Sequence, residues 1–291
     1  MTYKKREIIH AAVYILPSFI LICFFSLIPI VMNFYFAFTR YNVMQPPEWT
    51  GLSNFFRLIK DVYIGASLRN TVFYTLITVT VQTVLSLLFA AFIAEGFRNK
   101  YGEFLRGTLF IPVVSSGILV GTLWTLMLGA RGPANQMLRF FHLPAVNWLG
   151  GNFSALVSVS ITSIWKNLGY FLVIYYAGIM DIPISLYEAA RVDGAGGVQR
   201  FCYITFPSLR NITYLIVTLG TIWSFQVFDL VYTMTGGGPG MATVTLVLTT
   251  YRVAFKEYNM GYASMIALLL LFLVLIISIL QKRFMRDGSE D

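Results

Sequence analysis

The chain has 291 residues, of which 57 % are hydrophobic and 12 % charged, with a mean hydropathy of +0.71 and a formal net charge of +8. A soluble domain carries about 25 % charged residues, so an ordinary soluble protein is excluded and an integral membrane protein is indicated. Two cysteines (Cys23, Cys202) and two histidines (His10, His142) leave no metal-ligand spacing and no Ser–His–Asp or Cys–His set.

A bilayer-crossing helix needs about 20 apolar residues. Along the chain such runs recur six times, at about 12–38, 71–94, 109–128, 155–179, 212–234 and 263–280. These predict an all-α integral membrane protein of six transmembrane helices, with residues 1–291 forming a single transmembrane domain. Lys4-Lys5-Arg6 precede the first run, which is too long for a signal peptide and has no small-x-small cleavage site, so it reads as an uncleaved helix.

Orientation follows from the basic residues. With the N-terminus inside, Lys4, Lys5, Arg6, Arg98, Lys100, Arg106, Arg191, Arg200, Arg210, Lys282, Arg283 and Arg286 are cytoplasmic. Arg40, Arg57, Lys60, Arg69, Arg131, Arg139, Arg252 and Lys256 are outside, which makes twelve against eight and favours N-in and C-in. The positive charge is explained by these flanks, and no basic surface domain is present to bind nucleic acid.

Polar groups inside the runs are costly in lipid and mark a transport path. Gln82 interrupts the second run, Ser115-Ser116 beside Gly117 the third, and Lys166-Asn167 the fourth. Gln226 and Asp229 lie one turn apart in the fifth. With the aromatic faces of Tyr170, Phe225 and Phe228, this mixture suits a sugar, whose hydroxyls need polar partners and whose ring face is apolar. A second reading pairs Lys166 with Asp229 as a helix-fixing ion pair. Gln82 and the Ser-Gly cluster equally serve helix packing, and Trp49 and Trp148 interfacial anchoring.

The loop at 180–211, between the fourth and fifth runs, is placed in the cytoplasm by the charge bias. Ser185 and Glu188 have capping-box spacing, which predicts a short amphipathic helix, and Gly194 is placed to end it in a left-handed conformation. A second short helix runs through Gln199, Arg200, Phe201 and Ile204 to Phe206-Pro207. Two short helices exceed what a simple connection needs, so the loop is read as a docking element.

The run Glu188-Ala189-Ala190-Arg191-Val192-Asp193-Gly194-Ala195, continuing to Phe201, Ile204 and Pro207, resembles the EAA signature of binding-protein-dependent ABC importer permeases. Phe206 stands where leucine is usual, and Gly196-Gly197 is looser than common. Trp49-Thr50-Gly51-Leu52-Ser53-Asn54-Phe55 is similar to a segment following the first helix of carbohydrate-type members. Phe225–Asp229 followed by Thr235-Gly236-Gly237-Gly238-Pro239 resembles the first permease subunit of the maltose and glycerol-3-phosphate type. Those glycines lack the Gly-Lys-Ser/Thr ending of a phosphate loop, so ATP must be bound by another polypeptide.

The resemblance implies the type I importer permease fold with a cytoplasmic coupling helix, in a bacterial or archaeal cell membrane. It implies a non-catalytic subunit without its own cofactor, ATP and Mg²⁺ being held by two partner ATP-binding subunits. Ser185, Glu188, Ala189, Ala190, Asp193, Gly194, Ala195 and Phe201 would couple to one of them. A second homologous permease and an extracytoplasmic solute-binding protein complete the set of partners, the latter meeting Trp49, Asn54, Gly237 and Pro239. The competing class is a self-sufficient carrier driven by an ion gradient through Lys166 and Asp229.

Overall fold

The computed structural model describes residues 3–97 and 99–286, with the side chains of 13–97 and 99–283. Arg98, counted above among the cytoplasmic basic residues, lies outside the described residues, as do the side chains of Lys4, Lys5, Arg6, His10 and Arg286. The chain forms two compact units, residues 1–61 with 249–271, and residues 62–248 with 272–291.

In the first unit, α1 (Tyr3–Ile22) and α2 (Ile28–Ala37) are joined by a π-helical turn at Cys23–Leu27. The apolar stretch Val13–Ala37 is long enough to span a membrane, and its most apolar window buries nothing within the chain. A two-stranded antiparallel hairpin, β1 (Thr39–Arg40) and β2 (Glu48–Trp49), pairs Thr39 with Trp49. Helix α3 (Ser53–Lys60) follows, its start held by Asn54, whose side-chain amide donates to the carbonyls of Ala37 and Thr39, both at 2.9 Å. The Arg57 guanidinium stands 4.0 Å over the Tyr262 ring, and the Tyr262 hydroxyl donates to Asp61 at 2.7 Å.

The second unit is organised by two long helices, α4 (Val62–Gly96) and α8 (Asn152–Asp181). The buried residues of both helices include many small or hydroxylated ones, among them Ser67, Thr71, Thr78 and Ala90 on α4 and Ala155, Ser158, Ser160 and Thr162 on α8, a composition that favours close helix packing in an apolar medium. One buried apolar cluster gathers Leu87 and Ile93 of α4, Phe171 and Tyr175 of α8, and Leu209 and Ile216. The other gathers Tyr74 of α4, Leu156 and Val159 of α8, and Val120, Val231 and Met234. Between the two clusters α4 carries Gln82, and α8 carries Ser163, Lys166 and Asn167.

Among the described residues, four helices are long and apolar enough to cross a membrane, or five if one bent pair counts as a single span. That pair is α5 (Lys100–Val114) and α6 (Gly117–Met127), where the sequence predicts one run at 109–128. The helices meet at 100°, because Pro112 removes a helical donor and Ser115 and Ser116 then turn extended. The predicted run 212–234 is likewise divided, into α12 (Arg210–Phe225) and α13 (Asp229–Met234). Neither proline nor glycine lies at that break; instead Thr245 donates its hydroxyl to the freed Val227 carbonyl at 3.3 Å. Helix α7 (Pro133–Phe140) lies between α6 and α8; α9 (Ile184–Val192), α10 (Gly197–Arg200) and α11 (Phe206–Ser208) fill the loop before α12. The chain closes with α14 (Leu246–Tyr251) and α15 (Met260–Arg286).

Candidate functional site

The polar stretches of α4 and α8 and the breaks at α5/α6 and α12/α13 border one cavity of about 310 Å³. Six residues singled out from the sequence line it: Gln82, Lys166, Asn167, Gln226, Phe228 and Asp229. Tyr170 and Phe225 do not: the Tyr170 ring packs against Trp223 at 4.9 Å, and Phe225 is buried. Tyr74, Ser163, Trp223 and Ser224 also line the cavity and were missed. Helical spacing could have found two of them, since Ser163 is one turn before Asn167 and Tyr74 two turns before Gln82.

Lys166 and Asp229 face the same space, yet among the described residues no ion pair joins them. The pairing offered as a helix-fixing contact is therefore absent, and with it the geometric basis of a titrating pair. Asp229 is seated instead at the start of α6, so tightly that a Cβ on Gly117 would fall 2.2 Å from its Oδ2. First-turn amides of a helix lack intrahelical acceptors, and the helix dipole there favours negative charge. Asp229 is also the first residue of α13. Gln82 is 1 % exposed, and its Oε1 has no hydrogen-bond partner among the described residues. With Lys166, Asn167 and Ser224, it gives the cavity lining several hydrogen-bonding side chains.

The loop has a different character. Helix α9 buries none of its residues, and Glu188 and Ala189 are exposed, with Ala190 half-buried. The predicted capping box is not formed. Pro183, fixed at φ −55° and followed by an extended ψ, starts the helix at Ile184, which puts Ser185 inside it with no side-chain cap. The stop is as predicted: Gly194 has φ +78°, its amide donates to Arg191 at 3.1 Å, and Ala195 donates to Ala190 at 2.8 Å. These two bonds make a Schellman motif. The second helix has the reciprocal bond at its start, Gly196 N–H donating to Gln199 Oε1 at 2.8 Å. Val192, Val198 and Tyr203 are more than three-quarters exposed, an apolar display that calls for a partner. Phe201 turns the other way and packs on the Leu87–Tyr175 cluster.

Of the residues assigned to an outer surface, Trp49 is exposed and stacks on Phe38, while Asn54 spends its amide inside the first unit. In the second unit Gly237 is buried at φ +97° and Pro239 is half-buried. Their loop is held by Asn70 of α4, which the sequence reading missed: its amide donates to the carbonyls of Met241 at 2.7 Å and Val244 at 3.1 Å. Thr71 supports the same segment by accepting from the Leu246 amide at 3.2 Å.

Residues 68–287 match the family described as binding-protein-dependent transport system inner membrane component. The chain is 34 % identical over 292 residues to the trehalose/maltose transport system permease protein MalF of Thermococcus litoralis, covering 98 % of this chain and 97 % of that one. It is 33 % identical over 282 residues to the probable ABC transporter permease protein YurN of Bacillus subtilis, covering 96 % of both. In fold it matches a chain of a bacterial ABC transporter involved in the import of the acidic polysaccharide alginate. The TM-score is 0.86 at 22 % identity, over 98 % of this chain and 97 % of that one.

Proposed function

The chain belongs to the family of binding-protein-dependent transport system inner membrane components, and we propose that it is the permease subunit of an ATP-driven importer of a sugar or oligosaccharide. The observation that carries the substrate class is the cavity that Gln82, Asn167, Ser224 and Gln226 line together with Trp223 and Phe228. A relative named for trehalose and maltose transport supports the same class.

In this reading the protein is multi-pass in the cell membrane, with six crossings, N-in and C-in, and α9 in the cytoplasm. It is not itself an enzyme and holds no cofactor. A second permease completes the pore, two ATP-binding subunits carry ATP and Mg²⁺, and a binding protein delivers the sugar to segments including Trp49–Phe56 and Gly236–Met241. The exposed face of α9 docks on an ATP-binding subunit through Glu188, Ala189 and their neighbours. Closure of the ATP-binding pair moves α9, and the cavity opens alternately to either side.

Reconstitution of the chain with its co-purifying subunits in liposomes tests this. Sugar uptake should require ATP and the binding protein, and Glu188→Ala should lower uptake without lowering ATP hydrolysis. Uptake by the chain alone, driven by a proton or sodium gradient, would overturn it.

A further inference from the structure

Helix α4 ends badly by its own local rules. A carboxylate near a helix C-terminus is opposed by the helix dipole, and cations are favoured there. Yet the last turn of α4 holds Glu95 and no basic residue. The compensation comes from far along the chain: Arg200, the last residue of α10, forms an ion pair with Glu95. Gly197, at the other end of α10, also lies under that carboxylate, with a Cβ there falling 3.4 Å from Oε1 and 3.6 Å from Oε2. Glu95 therefore holds one whole turn of the loop.

That turn is fixed to α9. The Schellman stop sets the angle between α9 and α10, and the Tyr187 hydroxyl of α9 shares a 2.9 Å hydrogen bond with Thr205 Oγ1, one turn beyond Arg200. Beneath these contacts lies a cavity of about 210 Å³ lined by Ala91 and Ala94 of α4, Ile179 of α8 and Tyr187 of α9. Across that gap the loop meets α4 through the ion pair, and beside it Phe201 packs on the cluster that includes Leu87 and Ile93 of α4. In the other direction α4 is an uninterrupted helix to Gln82, thirteen residues or about 20 Å away, and on to Tyr74, both of which line the central cavity.

We infer that Glu95 and Arg200 are positioning residues that latch the α9–α10 loop to α4, so that displacement of the loop is delivered along α4 to the Gln82 wall of the central cavity. The inference rests on the coupling role of α9 proposed above. An element tied to the loop by one ion pair and running unbroken to the ligand-facing side chains has the connectivity such transmission needs; the physical warrant is a measured coupling between its ends. Glu95 is half-exposed, which screens the pair, but Arg200 is mostly buried, so thermal unfolding of each variant is measured beside its transport.

The test uses the assembled transporter in proteoliposomes, with uptake and ATP hydrolysis both normalised to assembled complex. Glu95→Gln and Arg200→Gln should each lower sugar transported per ATP about tenfold, within the range typical of coupling interactions. ATP hydrolysis and thermal unfolding should stay close to those of the unsubstituted protein. The exchanged pair Glu95→Arg with Arg200→Glu should restore most of the ratio. Gly194→Val, which disturbs α9 itself, serves as the reference. If Gly194→Val uncouples transport while both neutralised variants keep the normal ratio, the latch is wrong and the docking role of α9 stands. If the exchanged pair assembles but stays as uncoupled as the single variants, the latch is also wrong. If Gly194→Val too keeps the normal ratio, the coupling reading falls and takes the latch with it.

Discussion

The Asp229 carboxylate lies over the α carbon of Gly117, where a methyl group would come within 2.2 Å of Oδ2. One residue opens α13 and the other opens α6, so the contact joins the two helix breaks. Gly117→Ala must push the carboxylate off its seat. We expect it to destabilise the protein by about 1–3 kcal/mol, as overpacking does, and to lower uptake. Asp229→Asn keeps the shape and should melt closer to the unsubstituted protein. Thermal unfolding in detergent measures both, and an unchanged melting temperature for Gly117→Ala would show that the seat is not needed.

Gln82 separates stability from recognition. Its buried Oε1 has no partner among the described residues, so Gln82→Leu relieves an unsatisfied acceptor and should leave thermal stability equal or higher. If the amide serves a sugar hydroxyl, the same substitution raises the half-saturating sugar concentration by about three- to tenfold, the worth of one hydrogen bond. Uptake across a sugar titration decides the matter, and an unchanged curve would remove Gln82 from the ligand surface.

Gly194 gives a graded series. At φ +78° a residue with a Cβ is strained, a β-branched one most of all, by about 1–2 kcal/mol. Asparagine enters this region more readily than other residues. Sugar transported per ATP should therefore fall in the order glycine, asparagine, valine. Equal values for all three would mean that the turn after α9 has no part in transport.

Asn70 supplies a prediction of a different kind. Asn70→Ala leaves the carbonyls of Met241 and Val244 without its amide, at a cost of about 1–3 kcal/mol. Loss of that grip should speed amide hydrogen exchange across residues 236–245 more than along α4. Uniform exchange in both segments would show that other contacts hold the loop.

The long helices α4, α8 and α15 are legible because their apolar runs have few competing signals, and the central cavity because polar side chains stand out in such runs. The aromatic lining, Tyr74 and Trp223, is not, since aromatic residues are ordinary in membrane helices. Pro112 and the Ser115-Ser116-Gly117 cluster are the local traces of the first break; the second depends on Thr245, a hydroxyl eighteen residues beyond the carbonyl it serves. The capping box failed for a local reason, because Pro183 begins the helix one residue before Ser185 can cap it. The Glu95–Arg200 ion pair joins residues more than a hundred positions apart, and its only sequence trace is an acidic residue where a helix end disfavours one.

Helix α4 is held at one end by Asn70 on the 241–244 segment and at the other by Glu95 on the α10 turn. Those grips have a rotational relation as well as a spacing, because each residue added to a helix turns everything beyond it by about 100°. A single alanine inserted between Gln82 and Glu95 would leave both anchors chemically intact, yet out of phase by more than a quarter-turn. Four inserted residues would bring them nearly back into phase at the expense of about 6 Å of length. The two ends of α4 thus carry information about each other's azimuth, and transport should depend on insertion length periodically rather than steadily.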